Sequence, residues 1–382
     1  MSNCLFIRFA KPKVAPLQRL IILLDFGANL WYNAGSIILT RFRLSMDSAT
    51  LSTTEIDARK SIFAIASGKG GTGKSTFAIN LSVALASMGH DVVLVDADLG
   101  GANLSTLLGI TTPRYTLQDF FQSDVMYLSE ILEDTPCKNL RLICGGTDII
   151  SISNPQHQQK VKLIGAISQL DASHVIVDLG PDITFNNLDF FNAAPIGFLV
   201  TQNMDAMILG FYRFLKAAFV RKLKQEFRPD DFIMNIINDF QNHGWSHSRR
   251  DLIGTIRAAS REAREQLDRV LGTFQPKLVF NMAESIAAKK TADQMFSFIL
   301  ENFGFRLQTV GFIPRDPDVE RAYSRNEPFV LSAPRCPATR AIFDVLAACN
   351  LNKAPDGTRL TSFGEFQARL KSEAGNWQCL NA

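Results

Sequence analysis

Gly68-Lys69-Gly70-Gly71-Thr72-Gly73-Lys74-Ser75 carries the spacing G-x-x-x-x-G-K-[ST]. Glycines at that spacing let successive backbone N–H groups turn inward around phosphate oxygens, and a helix opening there adds the positive end of its dipole. Lys74 is placed to reach β- and γ-phosphates and Ser75 to ligate Mg2+, with Thr76 next to them in the phosphate-binding set. Three apolar runs end in polar groups suited to the same chemistry. VVLVDAD ends in Asp96 and Asp98, HVIVD ends in Asp178, and KLVFN ends in Asn281. A carboxylate at the C-terminal end of a parallel strand lies where such sheets bind ligands. Asp178 therefore reads as a group that holds Mg2+ through water. Gly180, two residues on, lets the backbone approach a γ-phosphate, and the Asn281 amide can donate and accept at once.

These residues need strands and helices to hold them. Residues 61–67 (SIFAIAS) and 92–95 (VVLV) read as buried strands, and 75–88 as the helix between them, with Gly89 at its C-cap. That is a βαβ unit. Further strands are expected at 140–144, 174–178, 197–201, 277–281 and 306–313, with helices at 156–170, 209–227, 288–303 and 338–348. The alternation predicts an α/β fold with a doubly wound, mainly parallel sheet and helices on both faces. Residues 228–276 break the rhythm. They are polar and rich in both charge signs, and read as a helical insertion with a solvated face.

KGGTGKS, with its early lysine Lys69, resembles the deviant Walker A motif of the MinD/ParA ATPase family. The stretch GGANLSTLLGI looks most like the FlhG/MinD branch. The resemblance covers about 61–350 and implies a P-loop ATPase that uses ATP and Mg2+ and forms a homodimer with ATP. It implies that Lys69 reaches across the dimer to the partner's nucleotide, that Asp98 orients the attacking water near Mg2+ with Asp96 in support, and that Asn281 recognises adenine. It places Pro314-Arg315-Asp316 against the base, with Pro314 and Asp316 matching relatives. It also implies slow turnover that a protein partner speeds, and a role in placing a division site, flagella or another polar assembly. Where relatives often read DLGAGT, this chain reads DLGPDIT. Pro181 removes an N–H and Asp182 adds a negative charge near the phosphates, which bears on hydrolysis rather than on binding.

Composition frames the alternatives. The 382 residues are 20% charged and 46% apolar, enough for a sizeable core, and the net charge of +3 does not itself point to nucleic acid. A ParA-type DNA-partitioning role would need basic clusters such as Arg249/Arg250 and Lys289/Lys290. A nucleotide-gated scaffold with little hydrolysis is the reading that Pro181 and Asp182 favour. Cys4, Cys137, Cys144, Cys336, Cys349 and Cys379 form no CxxC pair, which excludes the iron–sulfur carrier branch and reads as scattered reduced thiols. A cytoplasmic protein is expected, with peripheral contact at the inner face of the plasma membrane as a further option. Two segments are candidates for that contact: the basic amphipathic helix 209–227 and residues 362–380 of the C-terminal tail, 353–382. The tail reads as polar and loose with one short helix at 362–371, and Gly364 and Gly375 weaken it further. Residues 1–60 read as an N-terminal extension, not native before Met46 if translation starts there. The ATPase domain is then 61–352.

Overall fold

The computed structural model describes residues 60–380 apart from 99–100, 102, 111, 123, 147–156 and 248–251. The segment before residue 60, with Met46, and the pair Arg249/Arg250 therefore lie outside the described residues.

The P-loop unit runs β1 (Ser61–Ala66), α1 (Lys74–Ser87), β2 (Val92–Ala97). Two short helices, α2 (Leu104–Leu107) and α3 (Leu117–Gln122), lead to β3 (Leu132–Asp134) and β4 (Leu140–Ile143). Then come α4 (His157–Gln169), β5 (His174–Leu179), α5 (Phe185–Ala193), β6 (Ile196–Thr201) and α6 (Asp205–Glu226). The described part of the insertion is helical: α7 (Asp231–His247), α8 (Leu252–Ala259) and α9 (Arg261–Thr273). The chain closes with β7 (Lys277–Ala283), α10 (Ser285–Phe303), β8 (Gln308–Pro314), α11 (Pro317–Ser324), α12 (Phe329–Ser332), α13 (Pro337–Ala348) and α14 (Phe363–Leu380).

Among the described residues the sheet has eight strands in the order β3-β4-β2-β5-β1-β6-β7-β8. All neighbours pair in parallel except β3, an antiparallel edge strand on β4. Parallel strands buried on both faces need apolar residues in succession, which is why 92–95 and 174–179 lack alternation. Residues of β1 divide between the two faces. Ala64 and Ala66 join a core formed with α4, α5, α6, α10 and the insertion, whereas Phe63 and Ile65 join one formed with α1, α12, α13 and α14. The insertion is thus more than a solvated face, since Ile233, Ile237, Ile256, Leu267 and Val270 are buried in the first core.

The tail departs from the sequence reading. Instead of a loose segment with a short helix, residues 363–380 form one helix, and Phe366, Leu370 and Trp377 bury against α1, α12 and α13. Gly375 faces open space, and a Cβ on Gly364 would meet only the Ser362 hydroxyl at 3.9 Å, so neither position needs a side chain. Packing of the 363/366/370/377 stripe outweighs the roughly 1 kcal/mol that each helical glycine costs. The helix α6 likewise buries Phe211, Phe214, Leu215 and Phe219, the apolar residues of its candidate membrane face. Among the described residues no helix is long and apolar enough to cross a membrane.

Candidate functional site

The loop from Gly68 to Ser75 joins the end of β1 to α1 at the C-terminal edge of the sheet, where β5 and β6 also end on either side. Gly71 and Gly73 have φ of 81° and 84°, a conformation that disfavours any side chain. Gly68 is required for a different reason. A Cβ there would lie 1.8 Å from the Gly210 carbonyl oxygen, so a backbone-to-backbone contact locks the loop against α6.

Lys74 and Asp178 form a buried ion pair, Nζ to Oδ1 2.8 Å. Ser75 lies close by, with its Oγ 3.4 Å from the Lys74 ammonium. Burial pushes the Asp178 carboxyl above its usual range, while Lys74 and a hydrogen bond from Ser75 pull it back. Its second oxygen, Oδ2, is buried without a hydrogen-bond partner. A buried, unpartnered carboxylate oxygen beside a hydroxyl fits the water shell of a hard divalent cation. Among the described residues no group of three or more His, Cys, Asp or Glu forms a metal cage. A Mg2+ shared with substrate phosphates does not need one.

Asp96 is opposite Asp178 in the β2–β5 register and is buried. Burial, then the neighbouring Asp178, push its carboxyl up to about 7. It accepts the N–H groups of Asn103 and Leu104, both at 3.0 Å, and of Asp98 at 3.3 Å. Its work is therefore to fold the turn that carries Asp98 and to cap α2. Asp98 itself is half-buried, with Oδ1 3.1 Å from where a Cβ on Gly180 would sit. The structure thus brings together Lys74, Ser75, Asp98, Asp178 and Gly180. Lys69 is exposed at the rim, with its Cβ close to Gly210 of α6.

Asn281 and the 314–316 loop line a second compartment, a cavity of about 400 Å3 that also includes Gly71, Gly73, Thr76, Met282 and Tyr323. Asn281 Nδ2 donates to the Thr72 carbonyl at 2.9 Å. Asp316 lines the cavity wall, but its carboxylate accepts from Asp318 N (2.9 Å) and Ala338 N (3.3 Å), so it holds the loop in shape.

Two buried amides escaped the sequence reading. Asn187 on α5 donates to the carbonyls of Gly180 (3.1 Å) and Asp182 (2.8 Å), pinning the DLGPDIT loop. Gln202, just past β6, donates to the Gly71 carbonyl at 2.7 Å. Neither belongs to a spacing pattern. The only sequence signal for Gln202 is a polar residue directly after a buried strand of the P-loop sheet.

The family model of the CobQ/CobB/MinD/ParA nucleotide binding domain matches residues 63–329. This chain belongs to that family. FleN, an antiactivator of Pseudomonas aeruginosa, is 32% identical over 157 residues, 41% of this chain and 55% of its own. A putative septum site-determining protein MinD of Tupiella akineta is 29% identical over 166 residues, 42% of this chain and 52% of its own. The chain thus spans about half the length of these curated relatives. Among solved structures, MinD of Pyrococcus horikoshii complexed with Mg-ADP superposes with a TM-score of 0.53 at 20% identity, over 75% of this chain and 94% of its own. The ATP complex of a Cyanothece McdA variant gives 0.52 at 17%, over 80% and 100%. At such identities these structures establish the shared fold, that of the MinD/ParA P-loop ATPases.

Proposed function

We propose that this chain binds ATP with Mg2+ at Gly68–Ser75, hydrolyses it slowly, and uses the bound nucleotide to close a homodimer that regulates the placement of a cellular structure. Family membership and the relatives named septum site-determining protein and antiactivator support the class of function. The observation that carries the site is the buried Lys74–Asp178 pair with Asp98 and Gly180 beside it.

In this reading Lys74 leaves Asp178 to meet the phosphates. Ser75 and Asp178 would hold Mg2+, which supplies neutralising charge. Asp98 orients water at the γ-phosphate, next to the Gly180 backbone. Pro181 leaves the Gly180 N–H in place but removes the next donor, which fits slow turnover. Lys69, exposed at the rim, is free to reach a second copy. Because the Asn281 Nδ2 faces a carbonyl, its Oδ1 is the atom left to accept from a base. The 6-amino group of adenine donates to an oxygen placed there, whereas the 6-carbonyl of guanine would be repelled, which favours adenine over guanine. A protein partner that accelerates hydrolysis completes the cycle.

Calorimetric titration of ATP·Mg2+ and GTP·Mg2+ into the protein and its Lys74→Ala variant tests this reading. Binding of ATP alone, lost in the variant, is expected; equal binding in the variant would overturn the site.

A further inference from the structure

Three carbonyls of the phosphate-binding loop each accept a hydrogen bond from a buried side chain. Ser67 Oγ donates to Lys69 O at 3.0 Å, Gln202 Nε2 to Gly71 O at 2.7 Å, and Asn281 Nδ2 to Thr72 O at 2.9 Å. All three donors are less than a tenth exposed, and all lie at the C-terminal ends of neighbouring strands, β1, β6 and β7. In a trans peptide the carbonyl of one residue and the N–H of the next point in opposite directions. Holding the Gly71 carbonyl toward β6 therefore turns the Thr72 N–H the other way, and holding the Thr72 carbonyl does the same for the Gly73 N–H. At Gly71 and Gly73 the backbone is in the left-handed region, where glycine peptides flip at low cost, so an external tether decides which way they face.

Resting on the nucleotide reading above, we propose that Gln202 is a positioning residue for phosphate binding, which preorganises the Thr72 N–H by holding the Gly71 carbonyl. Gln202 touches no phosphate itself. An unpinned loop can turn a carbonyl toward the anion, and the correct orientation must then be selected on binding. Loss of one such hydrogen bond is worth about tenfold in affinity.

The test uses the full chain and Gln202→Met, which keeps length and burial but removes the donor. ADP and inorganic pyrophosphate are titrated against both, and the melting temperature of each protein is taken without nucleotide. The expected result is about tenfold weaker binding of both ligands, with no more than the fall of a few degrees in nucleotide-free melting temperature that the loss of one hydrogen bond brings. Gln202→Glu, which sets a carboxylate against a carbonyl, should bind more weakly still. It should recover relative to wild type toward acid pH, where the protonated carboxyl again donates. Unchanged ADP and pyrophosphate affinity in Gln202→Met, or no recovery of Gln202→Glu toward acid pH, would overturn the positioning role. Failure of the wild-type chain to bind ADP at all would instead refute the nucleotide reading on which it rests.

Discussion

The Lys74 ammonium and the Asp178 carboxylate lie 2.8 Å apart, at the start of α1 and near the end of β5, both buried. Each is the other's charge partner in a buried position. Removing one partner alone strands the other, at a cost of about 3–5 kcal/mol. Lys74→Ala and Asp178→Ala should each destabilise the nucleotide-free protein, and the double variant should lose far less than the sum. Urea unfolding of all four proteins measures the coupling; additive losses would show that the pair is not formed.

The contact between Gly68 and Gly210 gives a steric prediction. Alanine normally gains up to about 1 kcal/mol over glycine inside a helix, and Gly210 lies in the first turns of α6. Here a Cβ on Gly210 would meet the Gly68 carbonyl oxygen at 2.8 Å, and a Cβ on Gly68 would meet the Gly210 oxygen at 1.8 Å. Gly210→Ala should therefore weaken ATP binding without gaining stability, and Gly68→Ala should do more damage. A higher melting temperature with unchanged ATP affinity in Gly210→Ala would contradict the packing.

His174 gives a pH prediction far from the loop. Burial, and then the neighbouring His90, push its imidazole down to about 3, and its Nδ1 is buried without a partner. The unfolded chain takes up this proton near pH 6.5 and the folded chain only near 3, so stability is complete above 6.5 and falls between those values. The slope approaches about 1.4 kcal/mol per pH unit for this group. His174→Phe fills similar space beside Phe63 and His90. It should be as stable as wild type at neutral pH and lose less on acidification. Parallel acid-unfolding curves for the two proteins would remove His174 from the account.

The docked tail separates a structural helix from a detachable anchor. Phe366 and Leu370 are fully buried and Trp377 is 5% exposed. Phe366→Ala should cost about 3–5 kcal/mol. A tail that leaves the core to enter lipid would show almost no loss, and co-sedimentation with anionic vesicles would then depend on Trp377.

Much of the site was legible before the fold, because its chemistry is written in short-range spacing. Gly68–Ser75 follows a buried strand and opens a helix, and Asp98, Asp178 and Asn281 each mark a strand end. Other features depend on distant partners. Gln202 and Asn187 act through carbonyls supplied by other segments, so no local pattern announces them. β3 spans only Leu132–Asp134 and exists through its register with β4. Asp96 reads as a support for Asp98, but the three backbone N–H groups it accepts from, which make it a cap, come from the turn beyond it. In the tail, glycines and polar residues mask a stripe whose helix forms only against α1, α12 and α13.

The central claim is a nucleotide-gated pairing of two copies. The most direct measurement is the solution mass with ADP and with ATP·Mg2+, for the chain from Met46 and for its Lys69→Ala variant. A dimer only with ATP·Mg2+, lost in the variant while nucleotide still binds, is the predicted result. A monomer under both conditions with ATP bound would contradict it.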